Sequence, residues 1–392
     1  MTELQEKVFL TFKEHFQSEP VLYRAPGRIN LIGEHTDYND GWVFPAAVDK
    51  EMVFAIRLLD ASEKECSLVA VDLGETFSFS LEDVSRTEEK AWANFLMGVV
   101  DQFHRLGHEV PAFQCTFGGN IPLGAGLSSS AALEAGFAFA LNHLKDWKLS
   151  RLDLALLSQR VENDFVGLQC GIMDPYASLF GEAQHAMMLD CRSLKHELVP
   201  INLEGYTLLL CDSKVKHSLA SSEYNTRREE CEEGVRVIKT KHPEVNSLRD
   251  VDFEMLKGFE EEMNPIVFNR CLYVVLENLR VQAASEAIAL GDIISLGDLL
   301  YQSHSGLQHL YEVSCPEIDF LVESTVEDLS VMGARMMGGG FGGCTLNLLE
   351  SAGAEAFKAR MKKAYMDKYG VELPIYEVSL SQGVGPLERE LS

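Results

Sequence analysis

The sequence predicts an α+β fold divided into two domains. Its 392 residues exceed what one hydrophobic core usually fills, so two domains are expected. Segments with strand and helix patterns follow one another without strict alternation, which favours α+β over a doubly wound parallel sheet. No repeat with a period of roughly 20–50 residues is present, so the pattern does not indicate a solenoid or a propeller.

The first half of the chain is predicted to combine strands with four helices. An amphipathic helix opens it, with Leu4, Val8, Phe12 and Phe16 on one face. The other predicted elements are strands within 20–57, 66–81, 112–117 and 185–191, and helices over 91–106, 131–144 and 150–165. Residues 131–141 are apolar nearly all round, which predicts that this helix is buried.

The second half is predicted to begin with a strand at 207–212 and to continue mainly with helices. Three strongly charged helical stretches lie between 221 and 300, and they predict solvated faces and a monomeric chain. A helix near 316–326, a helix over 352–368 and a strand over 373–378 complete the pattern. We place the domain boundary within 191–206, which divides the chain into 1–190 and 191–392.

Charge and cysteine content exclude several classes of function. The net charge of −26 argues against nucleic acids and anionic membranes as partners, because both need a basic protein surface. An anionic ligand would therefore need local backbone amides or a metal ion. The nine cysteines lie at least 20 positions apart, which leaves no Cys-x-x-Cys pair and predicts reduced thiols in a cytoplasmic protein. No apolar stretch approaches the roughly 18 residues that indicate a membrane-spanning helix.

The segment PLGAGLSSSAALE combines a glycine-rich turn with the start of a helix. Gly124 and Gly126 can adopt positive φ and let the backbone approach a ligand. The serine hydroxyls and the free amides of the first helical turn suit an anion. No Gly-Lys-Ser/Thr follows, so the segment is not a Walker A loop. A helix that is merely capped by serine is the alternative interpretation.

A second glycine-rich segment, Gly338 to Gly343, formally satisfies G-x-G-x-x-G. A dinucleotide-binding fingerprint needs a helix after the glycines, whereas CTLNLL predicts a strand. We therefore reject a dinucleotide site, although the segment could still form a turn close to a ligand.

Polar side chains cluster in RINLIGEHTDYNDG, between two apolar runs. Arg28, Glu34, His35 and Asp37 lie within ten residues of one another. Carboxylates and an imidazole suit a polyhydroxylated ligand, because each hydroxyl both donates and accepts hydrogen bonds. A solvated loop is the alternative, and a metal site is only weakly indicated without an HExxH motif.

Asp174 in CGIMDPYAS is a second candidate for chemistry. Its position before Pro175 predicts a helix N-cap followed by proline at the first helical position. Capping and a catalytic role can coexist, since an N-cap carboxylate is anchored near a helix terminus.

These segments together resemble the galactokinases, within the wider family of galactose, homoserine, mevalonate and phosphomevalonate kinases. APGRINLIGEHTDYNDG is similar to the galactokinase signature, PLGAGLSSSA to the family's ATP motif and GARMMGGGFGGC to its third motif. CGIMD, LDCRSL, SSEYNTRR and YEVSCPEID resemble further galactokinase segments in the same order. The resemblance covers essentially the whole chain. It implies a two-lobed kinase fold with mixed sheets in each lobe and a ferredoxin-like element in the C-terminal lobe.

The resemblance also implies roles for residues of this sequence. Asp174 would be the catalytic base and Arg28 its partner at the reacting hydroxyl. The sugar-binding residues would be Glu34, His35, Thr36, Asp37, Gly171, Asp174 and Tyr224. The ATP phosphates would be wrapped by Gly124, Ala125, Gly126, Leu127, Ser128, Ser129 and Ser130. Ser130 and Glu162 would hold Mg²⁺.

The implied reaction is the ATP-dependent phosphorylation of the C1 hydroxyl of α-D-galactose, the first step of galactose catabolism. The alternatives are a kinase for a related sugar, such as N-acetylgalactosamine or arabinose, and a sensor that binds galactose and ATP without turnover. Three residues depart from the family's pattern: Pro175 stands where glutamine is common, Met337 where threonine is usual and Leu310 where an acidic residue is common. We expect these three residues to affect the kinetic constants and the range of accepted substrates more than the class of reaction.

Overall fold

A computed structural model describes residues 1–122, 124–215 and 220–388 of the chain. Its helices are α1 (Glu3–Phe16), α2 (Ala93–Arg105), α3 (Ser129–Lys145), α4 (Arg151–Arg160), α5 (Met173–Phe180), α6 (Ala220–Lys239), α7 (Phe253–Lys257), α8 (Pro265–Ala289), α9 (Ile293–His309), α10 (Pro316–Glu323) and α11 (Ala354–Tyr369). A π-helical turn, Val161–Val166, continues α4. Short 3₁₀ turns lie at Asp37–Asn39, Leu248–Asp250 and Ser351–Gly353.

The strands form three sheets. They are β1 (Val21–Asn30), β2 (Trp42–Val43), β3 (Pro45–Leu58), β4 (Glu65–Ala70), β5 (Glu75–Ser80), β6 (Phe113–Gly119), β7 (His185–Asp190), β8 (Lys195–Pro200), β9 (Tyr206–Asp212), β10 (Val331–Met337), β11 (Cys344–Glu350), β12 (Ile375–Val378) and β13 (Gly385–Pro386). The six-stranded sheet has the order β13-β1-β3-β6-β4-β5, the four-stranded sheet β10-β11-β9-β12 and the three-stranded sheet β2-β7-β8.

The six-stranded sheet and α3 form the centre of the main core. β1 and β3 pair antiparallel over most of their length, whereas β4 and β6 are parallel neighbours. α3 lies against β1 and β3. A Cβ on Gly136 of α3 would lie 2.5 Å from Cε2 of Phe54 and 2.6 Å from Cβ of Ala25. The small residues of this helix therefore bring its backbone close to the sheet, which fixes the position of its N-terminus.

The four-stranded sheet has the ferredoxin-like arrangement. Its strands occur along the chain as β9, β10, β11 and β12 but lie side by side as β12, β9, β11 and β10. All neighbouring pairs are antiparallel. Helices connect the first strand to the second, and α11 connects the third to the fourth. This βαββαβ order confirms the predicted ferredoxin-like element, and the mixture of separate sheets and helices confirms the α+β class.

The predicted elements are present with shifted ends. α1 buries Val8 and Phe12, as its apolar spacing predicts. α3 begins at Ser129, two residues before the predicted start, and the helix predicted over 150–165 changes to a π-helical turn at Val161. β11 follows the glycines of 338–343, which confirms the rejection of a dinucleotide site.

The prediction that the charged helices between 221 and 300 present solvated faces is wrong for α8. Arg270 is 3% exposed and Glu277 is fully buried. Each buried charge has partners: Arg270 donates to Glu230 at 3.0 Å and to Glu312 at 2.7 Å, and Glu277 accepts from the Gly33 amide at 3.0 Å. Charge content misleads here because a paired charge is buried at much lower cost than an isolated one.

All nine cysteines lie in the described ranges and are free thiols, as predicted. Across those same ranges, no helix has both the length and the apolar character needed to cross a membrane. The boundary at residue 190 stays a prediction. β7 and β8 pair across that position, and β13 returns to the first sheet beside β1.

Candidate active site

A cavity of about 140 Å³ gathers most of the predicted sugar-binding residues. It is bordered by the end of β1 and the turn after it, the start of α5, α6 and the glycines after β10. The lining residues are Arg28, Glu34, His35, Asp37, Cys170, Gly171, Met173, Asp174, Tyr224, Gly338 and Gly339. The fold therefore brings four separate sequence segments to one cavity.

Asp174 is held at this cavity by a fork of hydrogen bonds from Arg28. Nε donates to Oδ1 and Nη2 to Oδ2, both at 2.7 Å. The Ser128 hydroxyl also donates to Oδ2, and Nη1 of Arg28 donates to the carbonyl of Gly126. Such a bidentate pair fixes the plane of the carboxylate as well as its position. Arg28, which is 4% exposed, thus joins the predicted base to the predicted phosphate loop.

The predicted phosphate loop has the backbone of an anion site. Gly124, Gly126 and Ser128 have φ values of 77°, 72° and 56°, all in the left-handed region. The amide of Ala132 bonds to the Ser128 carbonyl at 3.1 Å, as the first complete turn of α3 closes. The amides before it lack intrahelical acceptors, as in the first turn of any helix. This helix N-terminus can therefore bind an anion without a lysine.

Both capping interpretations made from the sequence are wrong. Ser128 is the N-cap residue of α3, but its side chain makes no capping hydrogen bond and donates to Asp174 instead. Asp174 lies inside the first turn of α5, whose N-cap is Ile172. Pro175 fits that turn because an amide there has no intrahelical acceptor to lose. The two side chains are consequently free to contact each other at the cavity.

Glu34 is held by a residue that the sequence did not single out. Nη2 of Arg335, on β10, lies 3.0 Å from Oε1 of Glu34, and the pair is buried. The Gly338 amide donates to the same oxygen at 2.8 Å. Arg335 also donates to the carbonyls of Asn30 at 2.8 Å and Leu31 at 2.9 Å, at the end of β1. The third motif therefore supports the sugar-side motif.

His35 lies in the cavity wall as a neutral imidazole. Burial is the main cause that lowers the pKa of His35, to about 3; Arg227 adds to the shift and the Gly339 backbone opposes it. Nδ1 lies 2.8 Å from the Tyr38 hydroxyl. Nε2 is buried and makes no hydrogen bond of full geometry to a described residue, while a hydrogen bond between the ring and the Gly339 backbone is what raises the pKa against burial. A neutral histidine offers one donor and one acceptor, so Nε2 is available to a ligand hydroxyl.

Asp37 and Gly171 fit together closely. A Cβ on Gly171 would lie only 1.6 Å from Oδ2 of Asp37, so no larger residue fits without displacing this carboxylate. Burial, and next the charge of Asp174, raises the pKa of Asp37 to about 7. The absence of a side chain at Gly171 therefore leaves a carboxylate facing the cavity.

Two further predicted residues differ in their placement. Tyr224 lines the cavity, with its ring centroid 5.2 Å from that of His35. Thr36 does not line it, and its hydroxyl lies 2.8 Å from the Gly33 carbonyl and 2.6 Å from the Trp42 carbonyl. Thr36 stabilises the turn that carries Glu34 and gains no support as a direct ligand of the sugar.

The residues present fit a magnesium ion beside the phosphate loop. Burial raises the pKa of Glu162, opposed by a hydrogen bond from the Ser130 side chain. Glu134, one turn after Ser130 on α3, is fully buried, and neither of its carboxylate oxygens has a hydrogen-bond partner in the part of the chain that the structure describes. Within the described ranges, no cluster of three His, Cys, Asp or Glu side chains has metal-binding geometry. Mg²⁺ does not require one, because it binds one or two carboxylates together with phosphates and waters.

An apolar cavity of about 250 Å³ lies on the other side of the loop. Ser129 and Ser130 border it, and its walls include Trp92, Phe117 and Leu133. Trp92 precedes α2, Phe117 lies in β6 and Leu133 lies in α3, and in the sequence each of them resembles an ordinary core residue. The sequence therefore did not indicate this cavity, which Ser129 and Ser130 join to the phosphate loop.

Comparison with known proteins identifies the family. Residues 10–58 match the galactokinase galactose-binding signature, residues 94–182 the GHMP kinases N terminal domain and residues 284–367 the GHMP kinases C terminal profile. Over 384 residues the chain is 40% identical to the galactokinase of Roseiflexus sp. (strain RS-1), which covers 98% of this chain and 96% of that protein. The chain belongs to the galactokinase family. The predicted enzyme class, a kinase, is thereby confirmed.

Other galactokinases agree with this assignment. That of Thermotoga neapolitana (strain ATCC 49049) is 41% identical over 368 residues, or 92% of this chain and 98% of that one. Lactococcus lactis galactokinase, solved in complex with galactose, superposes with a TM-score of 0.93 at 33% identity, over 97% of this chain and 99% of that one. Methanococcus jannaschii mevalonate kinase, at 17% identity and a TM-score of 0.62, shares the fold alone.

The structure shows where the three residues lie that depart from the galactokinase pattern. Pro175 is buried in the first turn of α5 and leaves the contacts of Asp174 intact. Met337 is 1% exposed, and its backbone carbonyl, rather than its side chain, approaches Gly126. Leu310 packs against the core that contains Tyr311, while its carbonyl accepts from Arg270. None of the three removes a group from the cavity lining.

Proposed function

We propose that this galactokinase family member transfers the γ-phosphate of ATP to the C1 hydroxyl of α-D-galactose. The observation that carries the proposal is the position of Asp174, which lines the polar cavity and accepts from Ser128 of the phosphate loop. A sugar hydroxyl in this cavity would lie beside both a carboxylate and a helix N-terminus suited to phosphate. The named galactokinases that cover nearly the whole chain support the same substrates.

The chemistry follows from these positions. Phosphoryl transfer needs in-line geometry and neutralisation of charge more than covalent help. Asp174 takes the proton from the C1 hydroxyl as that oxygen attacks the γ-phosphorus. Arg28 holds Asp174 in place and stabilises the negative charge that develops beside it. The amides at the start of α3 bind phosphate oxygens.

Sugar recognition is assigned to the residues that line the cavity. Glu34, His35, Asp37 and Tyr224 supply donors and acceptors for the ring hydroxyls, and Gly171 leaves room for them. The donors and acceptors are fixed before the sugar binds, since Glu34 is held by Arg335 and His35 by Tyr38. Preorganised groups of this kind reduce the entropic cost of binding.

The nucleotide is assigned to the loop and to the apolar cavity beside it. Residues 124–130 wrap the phosphates, and the adenine base enters the cavity of Trp92, Phe117 and Leu133. Ser130 and Glu162 would hold Mg²⁺, with Glu134 as a further buried carboxylate nearby. When bound, the ion supplies positive charge to the β- and γ-phosphate oxygens.

The decisive assay measures ADP release by the purified chain with galactose, glucose, N-acetylgalactosamine, arabinose or mevalonate as acceptor. The proposal expects galactose to give the highest kcat/KM. A preference for another sugar would support the related-sugar alternative. Binding of galactose without ADP release would support a sensor without turnover, and either result would reject the proposal.

The catalytic assignment is tested by Asp174→Asn. We expect kcat to fall at least about 100-fold, because general base action contributes roughly 10²–10⁴-fold. Galactose affinity, measured by calorimetry, should fall much less than kcat, because the amide oxygen can still accept from Nη2 of Arg28 and from Ser128, although the amide nitrogen then faces the Nε donor of Arg28. Asp328→Asn is the control: Asp328 also pairs with an arginine, Arg360 at 2.6 Å, but outside the cavity. A near-normal kcat in Asp174→Asn would reject the base assignment.

We also propose that the chain acts as a monomer. Its net charge of −26 disfavours self-association at low ionic strength. Light scattering at several protein concentrations tests this directly.

A further inference from the structure

A chain of hydrogen bonds continues from His35 and Tyr38 behind the sugar cavity, and the mechanism above leaves its further members without a role. Nδ1 of His35 lies 2.8 Å from the Tyr38 hydroxyl, which lies 2.8 Å from the Tyr311 hydroxyl. The Tyr311 hydroxyl in turn lies 3.2 Å from Sγ of Cys231. We name these four residues the tyrosine relay. They come from the turn after β1, from α6 and from the segment after α9.

The relay is packed as tightly as the core around it. Tyr311 is fully buried, and Cys231 is 1% exposed. The ring centroid of Tyr311 lies 4.8 Å from that of His35 and 4.7 Å from that of Tyr273. Tyr273 donates to the backbone carbonyl of Glu34 at 3.0 Å. The rings therefore hold the imidazole in one orientation, and the residue before it is fixed by the same cluster.

The direction of the relay determines which ring nitrogen of His35 carries the proton. Each hydroxyl has a single proton, so the chain of bonds has two consistent directions. In one direction Tyr38 donates to Nδ1, and the proton of His35 is on Nε2. In the other, Nδ1 donates to Tyr38, and Nε2 is left as an acceptor.

The chemistry of the groups favours the first direction. A phenol donates well and an imidazole nitrogen accepts well, whereas a phenol oxygen is a poorer acceptor than that nitrogen. The thiol of Cys231 is a weak donor and a weak acceptor, so it opposes neither direction strongly. Hydrogen bonds in one chain polarise one another, so Tyr311 donating to Tyr38 strengthens the donation of Tyr38 to Nδ1.

We propose that Tyr38 and Tyr311 are positioning residues that hold His35 as the neutral tautomer with its proton on Nε2, so that Nε2 donates to one hydroxyl of the sugar. His35 lines the cavity, and Nε2 makes no hydrogen bond of full geometry to a described residue, although the Gly339 backbone lies close enough to the ring to raise its pKa. The identity of the sugar as galactose rests on the proposed function. The state of His35 in the free protein does not.

The first experiment is therefore made without sugar. ¹⁵N-labelled histidine is incorporated, and the His35 signals among the 11 histidines are assigned with a His35→Asn variant. In the wild type, the ¹⁵N chemical shift of Nδ1 should be that of an unprotonated ring nitrogen, and the ¹⁵N chemical shift of Nε2 that of a protonated one. Tyr311→Phe leaves Tyr38 in contact with His35 but ends the chain of bonds, so its signals should move toward a mixture of tautomers. Tyr38→Phe should move them further.

The second experiment separates positioning from catalysis. Tyr38→Phe should raise the KM for galactose about tenfold, which equals about 1.4 kcal/mol, while kcat changes less than about twofold. Tyr311→Phe should raise the same KM by a smaller factor. Tyr23→Phe is the matched control, because the buried Tyr23 hydroxyl bonds to Nδ1 of His143 at 2.9 Å near the far end of α3. It should leave the His35 signals and the KM unchanged.

Each outcome is decisive for the relay. Wild-type signals that show a proton on Nδ1, or a mixture, would overturn the proposal. So would Tyr38→Phe and Tyr311→Phe variants whose His35 signals match the wild type. If Tyr38→Phe does not fold, Tyr311→Phe, which removes one oxygen from the far side of the chain, decides the question. If the wild type fails to phosphorylate galactose, the proposed function fails, and the histidine signals still test the relay.

Discussion

Replacing Arg335 with methionine should destabilise the protein more than any exposed charge substitution would. Methionine fills much of the space but removes the positive charge beside Glu34. It also removes the donor to the carbonyls at the end of β1. Because both partners are buried, Glu34 would keep the Gly338 amide as a donor but lose the positive charge that compensates its own.

The magnitude follows from those contacts. Removing one partner of a buried ion pair typically costs about 3–5 kcal/mol. Each buried carbonyl that loses its partner adds up to about 1–3 kcal/mol, although the two losses overlap with the first. We therefore expect a loss of about 4–6 kcal/mol, a large share of the about 5–15 kcal/mol that stabilises a typical domain.

Urea unfolding followed by circular dichroism measures the loss in the free energy of unfolding. The wild type and the control variant Arg360→Met are measured in parallel. Arg360 also bonds to one carbonyl, of Ser324, and to one carboxylate, of Asp328, but its side chain is 41% exposed. Its loss should cost no more than about 1 kcal/mol. A loss for Arg335→Met that is indistinguishable from that of Arg360→Met would refute the reasoning, because Glu34 would then be stable without its partner.

Two further predictions concern Asp37. Gly171→Ala would bring a Cβ within 1.6 Å of Oδ2 of Asp37, so the carboxylate must move. We expect galactose affinity to fall at least about tenfold while ATP affinity stays unchanged. Calorimetry with each ligand checks this. Asp37→Asn should lose galactose binding but gain stability at pH 8. Burial raises the pKa of Asp37 from 3.8 to about 7, so the folded state keeps a proton that the unfolded state loses. This carboxylate therefore makes stability fall as pH rises from about 4 to about 7, by at most about 4 kcal/mol. Melting temperatures of the variant and the wild type should coincide near pH 4 and separate by pH 8, and a constant difference across that range would contradict the assignment.

The sequence predicted those parts of the site in which local pattern and chemistry coincide. The phosphate loop is one continuous segment, and its glycines, serines and following apolar helix are visible without the fold. Its backbone has the positive φ values that the glycines suggested. Asp37 and Glu34 were likewise found because they cluster within one turn.

The supporting residues could not be predicted, because nothing local marks them. From the sequence alone, Arg335 resembles any charged residue in a strand and Glu277 any charged residue in a solvated helix. Tyr311 resembles an ordinary aromatic residue of the core. Each of them contacts a partner more than 200 positions away in the sequence. The partners are Glu34 for Arg335, Gly33 for Glu277 and Tyr38 for Tyr311. Only the sheet order and the packing of α8 bring these pairs together. The capping predictions were wrong for a related reason. The side chains of Ser128 and Asp174 form a hydrogen bond with each other and do not cap their own helices.

The carboxylates of the site divide into two groups, and the division explains how so acidic a chain can bind a nucleotide. Glu34 and Asp174 are each paired with a buried arginine, so their charges are compensated before any ligand arrives. Asp37, Glu134 and Glu162 have no ion pair with lysine or arginine in the described ranges, and burial raises the pKa of all three. A buried carboxylate without an opposite charge beside it is costly. The partners that would offset this cost are the hydroxyls of a sugar for Asp37 and a divalent cation for the other two. The free protein is therefore least stable where it is to bind, and ligands should stabilise it most at pH values where these three groups are ionised.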